Sequence, residues 1–129
     1  MKPKTKEDRK EMERGSDYNK VILTGNLTND PELRYTPSGA AVTSLRLAVN
    51  HRYRQKDRYQ DEISYFDIIT FGKQAESCVE YLTKGRYVLI DGRLQERRWE
   101  SEEGQRRAEI EVIANQIYSL GELKELNAE

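Results

Sequence analysis

Only one stretch of this chain carries the spacing of a helix, and its place among strand-like stretches narrows the fold more than any other feature. Ala75, Cys78, Val79 and Leu82 fall at i, i+3, i+4 and i+7, which gathers apolar side chains on one helical face. Gly85 stands where a C-cap glycine is expected. Before the helix, Lys20–Thr24, Val42–Asn50 and Ile63–Phe71 read as strands, and after it so do Tyr87–Trp99 and Arg106–Tyr118. The alternation is clearest where Leu45, Leu47 and Val49 oppose Arg46, Ala48 and Asn50, the pattern of a strand buried on one side only.

Three strands, a helix and two strands is the order of an all-β, five-stranded Greek-key barrel of the oligonucleotide-binding (OB) type, with its helix between strands 3 and 4. Other small barrels fit the same coarse order. Gly25 and Gly92 interrupt strands and mark bends that curl a sheet. LTNDPELRYTPSG is a turn-rich connection with Glu32–Tyr35 extended inside it, HRYRQKDRYQDE carries strand ends out into a protruding hairpin loop, and Glu102-Glu103-Gly104 supplies a last hairpin turn. Residues 1–17 are a charged arm whose sparse apolar side chains, Met12 the one inside it, cannot offset the entropy of ordering it. The expected division is therefore an arm at 1–17, a barrel domain at 18–121 and a short polar tail at 122–129.

Charge and cysteine usage exclude several function classes. The net charge is −1, so attraction for a polyanion must come from local segregation of charge. Arg46–Arg58 holds five basic residues against Asp57 alone, Lys84–Trp99 holds five against Asp91 and Glu96, and the acids gather at Glu100, Glu102, Glu103, Glu109 and Glu111. Cys78 is the single cysteine; it has no disulfide or CxxC partner, and the sole histidine, His51, shares no motif with it. No apolar run has the length of a membrane span and no secretory signal opens the chain, so no membrane association and a cytoplasmic location are expected. No His/Asp/Glu spacing suits a metal and no phosphate-loop spacing surrounds Gly85 or Gly92. The expectation is a protein that binds without catalysis and without a cofactor.

The binding chemistry is written in side-chain parity. Arg93, Gln95, Arg97 and Trp99 alternate, so a strand puts three polar donors and an indole on one face; Tyr65 and Phe71 likewise share a face. Large rings are usually buried. A buried face does not tolerate repeated unpaired arginines, however, since desolvating a cation costs several kcal/mol. Outward rings among guanidinium groups are the chemistry of a single-strand groove, where rings stack on any base and cations track phosphates.

Three stretches, NKVILTGNLTNDPELRYTPSGAAV, SYFDIITFGKQAESCVEYLTKGRYVLIDGRLQERRWES and GQRRAEIEVIANQIYSLG, resemble the bacterial and organellar single-stranded DNA-binding proteins from Asn19 to Gly121. GNLTNDPELRY, the FGK junction into the helix, EYLTKG and the DGRL-to-Trp run follow the family's order and spacing. The resemblance implies an OB-fold protomer in a homotetramer, a dimer of dimers, that wraps single strands without sequence preference during replication, recombination and repair in the nucleoid. It gives stacking roles to Trp99 and Phe71 and, where relatives often carry tryptophan, to Tyr53 and Tyr65. Phosphate contacts fall to Lys20, Arg34, Arg54, Lys56, Lys73, Lys84, Arg93 and Arg97. Asp67 departs from the pattern: it shares the parity of Tyr65 and Phe71, so an acid sits on the binding face, its repulsion of phosphate offset either by a nearby arginine or by a small local avoidance of the strand. Many relatives also recruit enzymes through an acidic tip, whereas this sequence stops at Leu126-Asn127-Ala128-Glu129 and that recruitment is not expected of it. Two other readings fit a barrel with aromatic faces, an RNA-binding or primosome-type OB module and a sheet whose rings pack an oligomer interface.

Overall fold

The computed structural model describes residues 15–122; most of the expected charged arm, and the tail beyond Glu122, lie outside the described residues. The elements are β1 (Val21–Leu27), β2 (Glu32–Tyr35), β3 (Ala41–Gln55), β4 (Arg58–Phe71), α1 (Gly72–Tyr81), β5 (Arg86–Glu100) and β6 (Arg106–Glu122). They form one sheet in the order β1-β5-β6-β4-β3-β2, which β1 closes by also pairing with β3. The five long strands are the barrel, β2 is an edge strand on β3, and the one described helix follows the third long strand. This is the OB fold expected from the order of elements.

Closure is narrow on both sides. β1 meets β3 only at Asn26↔Ala48 and Leu27↔Leu47, and β4 meets β6 in parallel only at Ile68↔Val112 and Ile69↔Ile113. Leu27, Leu45, Leu47, Ile68, Val88, Ile90, Val112 and Ala114 fill the interior, with Cys78 and Leu82 joining them. Gly25 and Gly92 owe their places to close approach. A Cβ on Gly25 would lie 2.3 Å from the carbonyl oxygen of Ala48, and one on Gly92 2.1 Å from that of Ile113.

Polar side chains tie α1 to the barrel. The buried Thr43 hydroxyl donates to the Ala75 carbonyl at 2.7 Å. The Gln74 amide donates to Thr70 Oγ1 at 2.8 Å and reaches the carbonyls of Ala114 and Asn115. Ala75 and Cys78 are buried as their spacing requires, but Val79 is exposed. Gly85 is not the helix cap expected of it. The helix stops at Tyr81 with Leu82, in extended conformation, as its C-cap; Gly85 turns the chain at φ 90° and donates its N–H to Leu27 at 2.8 Å.

Two long hairpins leave the barrel. β3 and β4 pair without a break from Val42↔Phe71 to Gln55↔Arg58, so the polar interval expected as strand ends running into a protruding hairpin loop is strand all the way to a two-residue turn. Cross-strand charge pairing favours this, as between Arg52 and Asp61 at 3.0 Å. β5 and β6 pair from Arg86↔Glu122 to Glu100↔Arg106, with register shifts at Tyr87/Val88 and Asp91/Gly92. At the second shift Asn115 is the extra residue on β6. That bulge reverses which residues of β6 face inward, so Val112 and Ala114 stay in the core while Glu109 and Glu111 face outward with Arg97 and Gln95.

Candidate nucleic-acid interface

The outer face of the barrel is read from the pairing. On β4 the residues Tyr59, Asp61, Ile63, Tyr65, Asp67 and Phe71 point away from the core; their partners on β3 include Arg54, Arg52, Ala48 and Arg46. Tyr65 and Phe71 are each about half exposed, at 53% and 51%. Ala48 stands directly opposite Tyr65 on β3. On β5 the residues Arg93, Gln95 and Arg97 are exposed and Trp99 is half-buried. The alternation of outward rings with arginines is thus present on both hairpins.

Tyr53 does not join Tyr65. It pairs with Gln60 and lies on the opposite face of the β3–β4 ladder, stacked on His51 with ring centroids 5.9 Å apart. Tyr59 takes the face with Tyr65 and is widely exposed. Sequence reading left it out of the site, although its six-residue spacing from Tyr65 fixes its parity. Arg46 and Arg107 were missed as well. The Arg46 guanidinium sits 5.2 Å from the centre of the Tyr65 ring, and Arg107 stands across from Trp99. Arg98, Trp99, Arg106 and Arg107 border a cleft of about 480 Å³ at the end of the β5–β6 hairpin. The Arg106-Arg107 pair just after the turn was the available signal.

The expected cations distribute over several sites. Arg34 and Arg97 share a cleft of about 240 Å³ with Asp67, Ile69 and Glu111. Lys20 and Arg93 border another, of about 440 Å³, beside Tyr18 and Asp91. Arg54 lies on the Tyr59 side of the hairpin, and Lys56 is in its turn with φ 55°. Lys73 lines a separate cleft between α1 and β6. Lys84 follows the helix, its backbone N–H donating to Asp30 at 2.8 Å. Among the described residues Arg34, Lys56, Lys73 and Lys84 have no carboxylate within ion-pair distance, while Lys20 pairs with Asp91 at 3.0 Å and Arg54 approaches Asp57 at 3.9 Å.

The segregation of acids from bases fails on the outer face. Glu109 and Glu111, expected to lie apart from the basic stretches, flank Arg97 at 3.5 Å and 3.7 Å. Arg97 in turn lies over the Trp99 ring, 4.3 Å from its centre. Of the two alternatives expected for Asp67, a nearby arginine is present: Arg46 donates to it at 3.3 Å. Hydrogen bonding between Arg52 and Asp61 lifts the guanidinium pKa and holds the Asp61 carboxyl below its usual range. The hydrogen bond to Asp91 raises Lys20 in the same way. Burial pushes the Cys78 thiol up to about 11, consistent with a packing role. Among the described residues no cluster of His, Cys, Asp and Glu could hold a metal, and no helix is long and apolar enough to cross a membrane.

Comparison with known proteins agrees with this geometry. The single-strand binding protein family model matches residues 18–120. The chain belongs to that family. It is 41% identical over 106 residues to the single-stranded DNA-binding protein of Treponema pallidum (strain Nichols), an alignment covering 82% of this chain and 60% of that one. The Wolinella succinogenes protein of the same name is 45% identical over 104 residues, 80% of this chain and 64% of its own. The Thermotoga maritima protein, again so named, is 46% identical over 102 residues, 78% and 72% of the two chains. The chain thus spans about three fifths of the length of the first two of these family members.

Proposed function

We propose that this protein binds single-stranded DNA without sequence preference and protects it during replication, recombination and repair. Family membership and the names of its relatives support the ligand. The observation that carries the mechanism is the run of outward rings on the two hairpins, Tyr65 and Phe71 on one and Trp99 on the other, interleaved with arginines. Each ring accepts the π-face of any base, and stacking contributes about 1–3 kcal/mol per base. Arg34, Arg54, Arg93 and Arg97, with Lys20, Lys56, Lys73 and Lys84, neutralise phosphates and release counterions. Tyr53 meets the strand on the other side of the hairpin. Duplex is disfavoured because its bases are already stacked on one another.

The protomers assemble as a homotetramer, a dimer of dimers, in the cytoplasm, so a strand leaving one groove meets the next at high effective concentration. No covalent step is involved. The test is fluorescence anisotropy with labelled oligo(dT), a mixed-sequence oligonucleotide of equal length and its duplex, alongside native mass measurement. Tight binding to both single strands, weak binding to duplex and a tetramer mass are expected. Preference for duplex, or no binding to either single strand, refutes the proposal.

A further inference from the structure

Two rings on the outer face each have an arginine lying over them, and each of those arginines is held by acid. At one site Arg46 lies over Tyr65 and is bound to Asp67. At the other, Arg97 lies over Trp99 between Glu109 and Glu111. Asp67, Glu111 and Arg97 line the same cleft, so the two arrangements open onto one space. Their recurrence on separate hairpins, from unrelated sequence contexts, points to a shared role.

We propose that Asp67, Glu109 and Glu111 set the affinity of the interface by holding Arg46 and Arg97 down as lids over the stacking rings. A guanidinium over an aromatic face occupies the position a nucleobase needs. For a base to stack on Trp99, Arg97 must leave the ring and both carboxylates; it then becomes available to a phosphate. The carboxylates act through the arginines and compete with the nucleic acid for them. Glu111 is the stronger holder, because its side chain is only 12% exposed and is poorly screened by salt. Freed carboxylates recruit cations from solution as DNA binds, which subtracts from the counterion release of phosphate neutralisation. The interface is thereby tuned below the affinity its arginines would give, and its salt dependence is shallower than their number implies.

The inference rests on single-strand binding as proposed above, and the test separates the two. The full chain, its Glu109→Gln/Glu111→Gln variant, an Asp67→Asn variant and a Glu76→Gln/Glu80→Gln variant of equal charge change on exposed helix positions are titrated with fluorescein-labelled oligo(dT) at several salt concentrations. Taking for each ion pair the roughly 0.2–1 kcal/mol of an exposed pair, with the Glu111 pair at the upper end, loss of both glutamates tightens binding about 2- to 30-fold and Asp67→Asn about 1.4- to 5-fold. The double glutamate variant also shows a steeper salt slope, by roughly the 0.7 expected of one added phosphate contact. The helix variant changes affinity less than either. Unchanged or weaker binding by both outer-face variants overturns the lid, since the carboxylates would then be neutral or would orient the arginines for phosphate. If the unmodified chain itself does not bind oligo(dT), the failure belongs to the proposed function.

Discussion

Replacing Gly92 with alanine probes the contact that sets β5 against β6 and so orients half of the interface. The added Cβ would stand 2.1 Å from the carbonyl oxygen of Ile113, with Ile113 C at 3.0 Å and Ala114 Cα at 3.1 Å. An ordinary C···O contact is about 3.3 Å, so the strands must part by roughly 1.2 Å at a point where all three neighbours are backbone. Side-chain rotation cannot relieve the clash. Overpacking costs typically about 1–3 kcal/mol and occasionally more, and a rigid backbone obstacle places Gly92→Ala at or above about 3 kcal/mol. Gly104→Ala is the control: its φ is 80° but its nearest neighbour is a side-chain oxygen at 3.7 Å, so only the left-handed backbone penalty of about 1–2 kcal/mol applies. Urea unfolding followed by circular dichroism measures both. Because Gly92 sits at the register shift that keeps Glu109, Glu111 and Arg97 on one face, Gly92→Ala also weakens oligo(dT) binding at denaturant-free equilibrium, and Gly104→Ala does so less. A Gly92→Ala protein within 1 kcal/mol of the parent, or less destabilised than Gly104→Ala, refutes the reasoning.

Other perturbations test separate parts of the account. Thr43→Val removes the buried hydroxyl that anchors α1 to β3 and should cost about 0.5–1.5 kcal/mol in urea unfolding. Asp61 has its carboxyl pKa lowered mainly by the hydrogen bond from Arg52. Its support of the β3–β4 hairpin is therefore complete above the usual carboxylate range and lost as pH falls through the depressed value; carbon-detected NMR titration should find a low midpoint that returns to the usual range in Arg52→Ala. The Cys78 thiol, raised to about 11 by burial, stays protonated at neutral pH and should react with a disulfide reagent far more slowly in the native chain than in urea. Phe71→Ala should weaken binding to oligo(dT), oligo(dA) and mixed strands alike, by about 1–3 kcal/mol if one base is lost from its stack.

The barrel was legible because strand and helix spacings differ and because the single helix stands in a telling place. Outward parity of Tyr65, Phe71, Arg93, Arg97 and Trp99 was legible for the same reason, since a period of two survives any tertiary arrangement that keeps the strand. What escaped depends on contacts between distant segments. Gly85 has the composition of a helix cap, yet the chain leaves the helix at Leu82 and uses that glycine to reach Leu27. The bulge at Asn115 follows from β6 crossing Gly92; its one trace in the sequence is the unbroken buried run of Val112, Ile113 and Ala114. The acids of β6 appeared to lie apart in sequence because pairing with β5, which brings Glu109 opposite Arg97, is invisible in a linear count of charge. The length of the β3–β4 hairpin escaped because polarity reads as loop, whereas alternating charges across two strands stabilise a ladder in water.

Stacking on outward rings has a direct reporter, since Trp99 is the only tryptophan. Its emission should be strongly quenched by stoichiometric oligo(dT) and little changed by duplex of the same length, with the quench reversed by salt. Emission that ignores oligo(dT) but shifts when the protein is diluted would place Trp99 in a protein–protein contact and contradict the account.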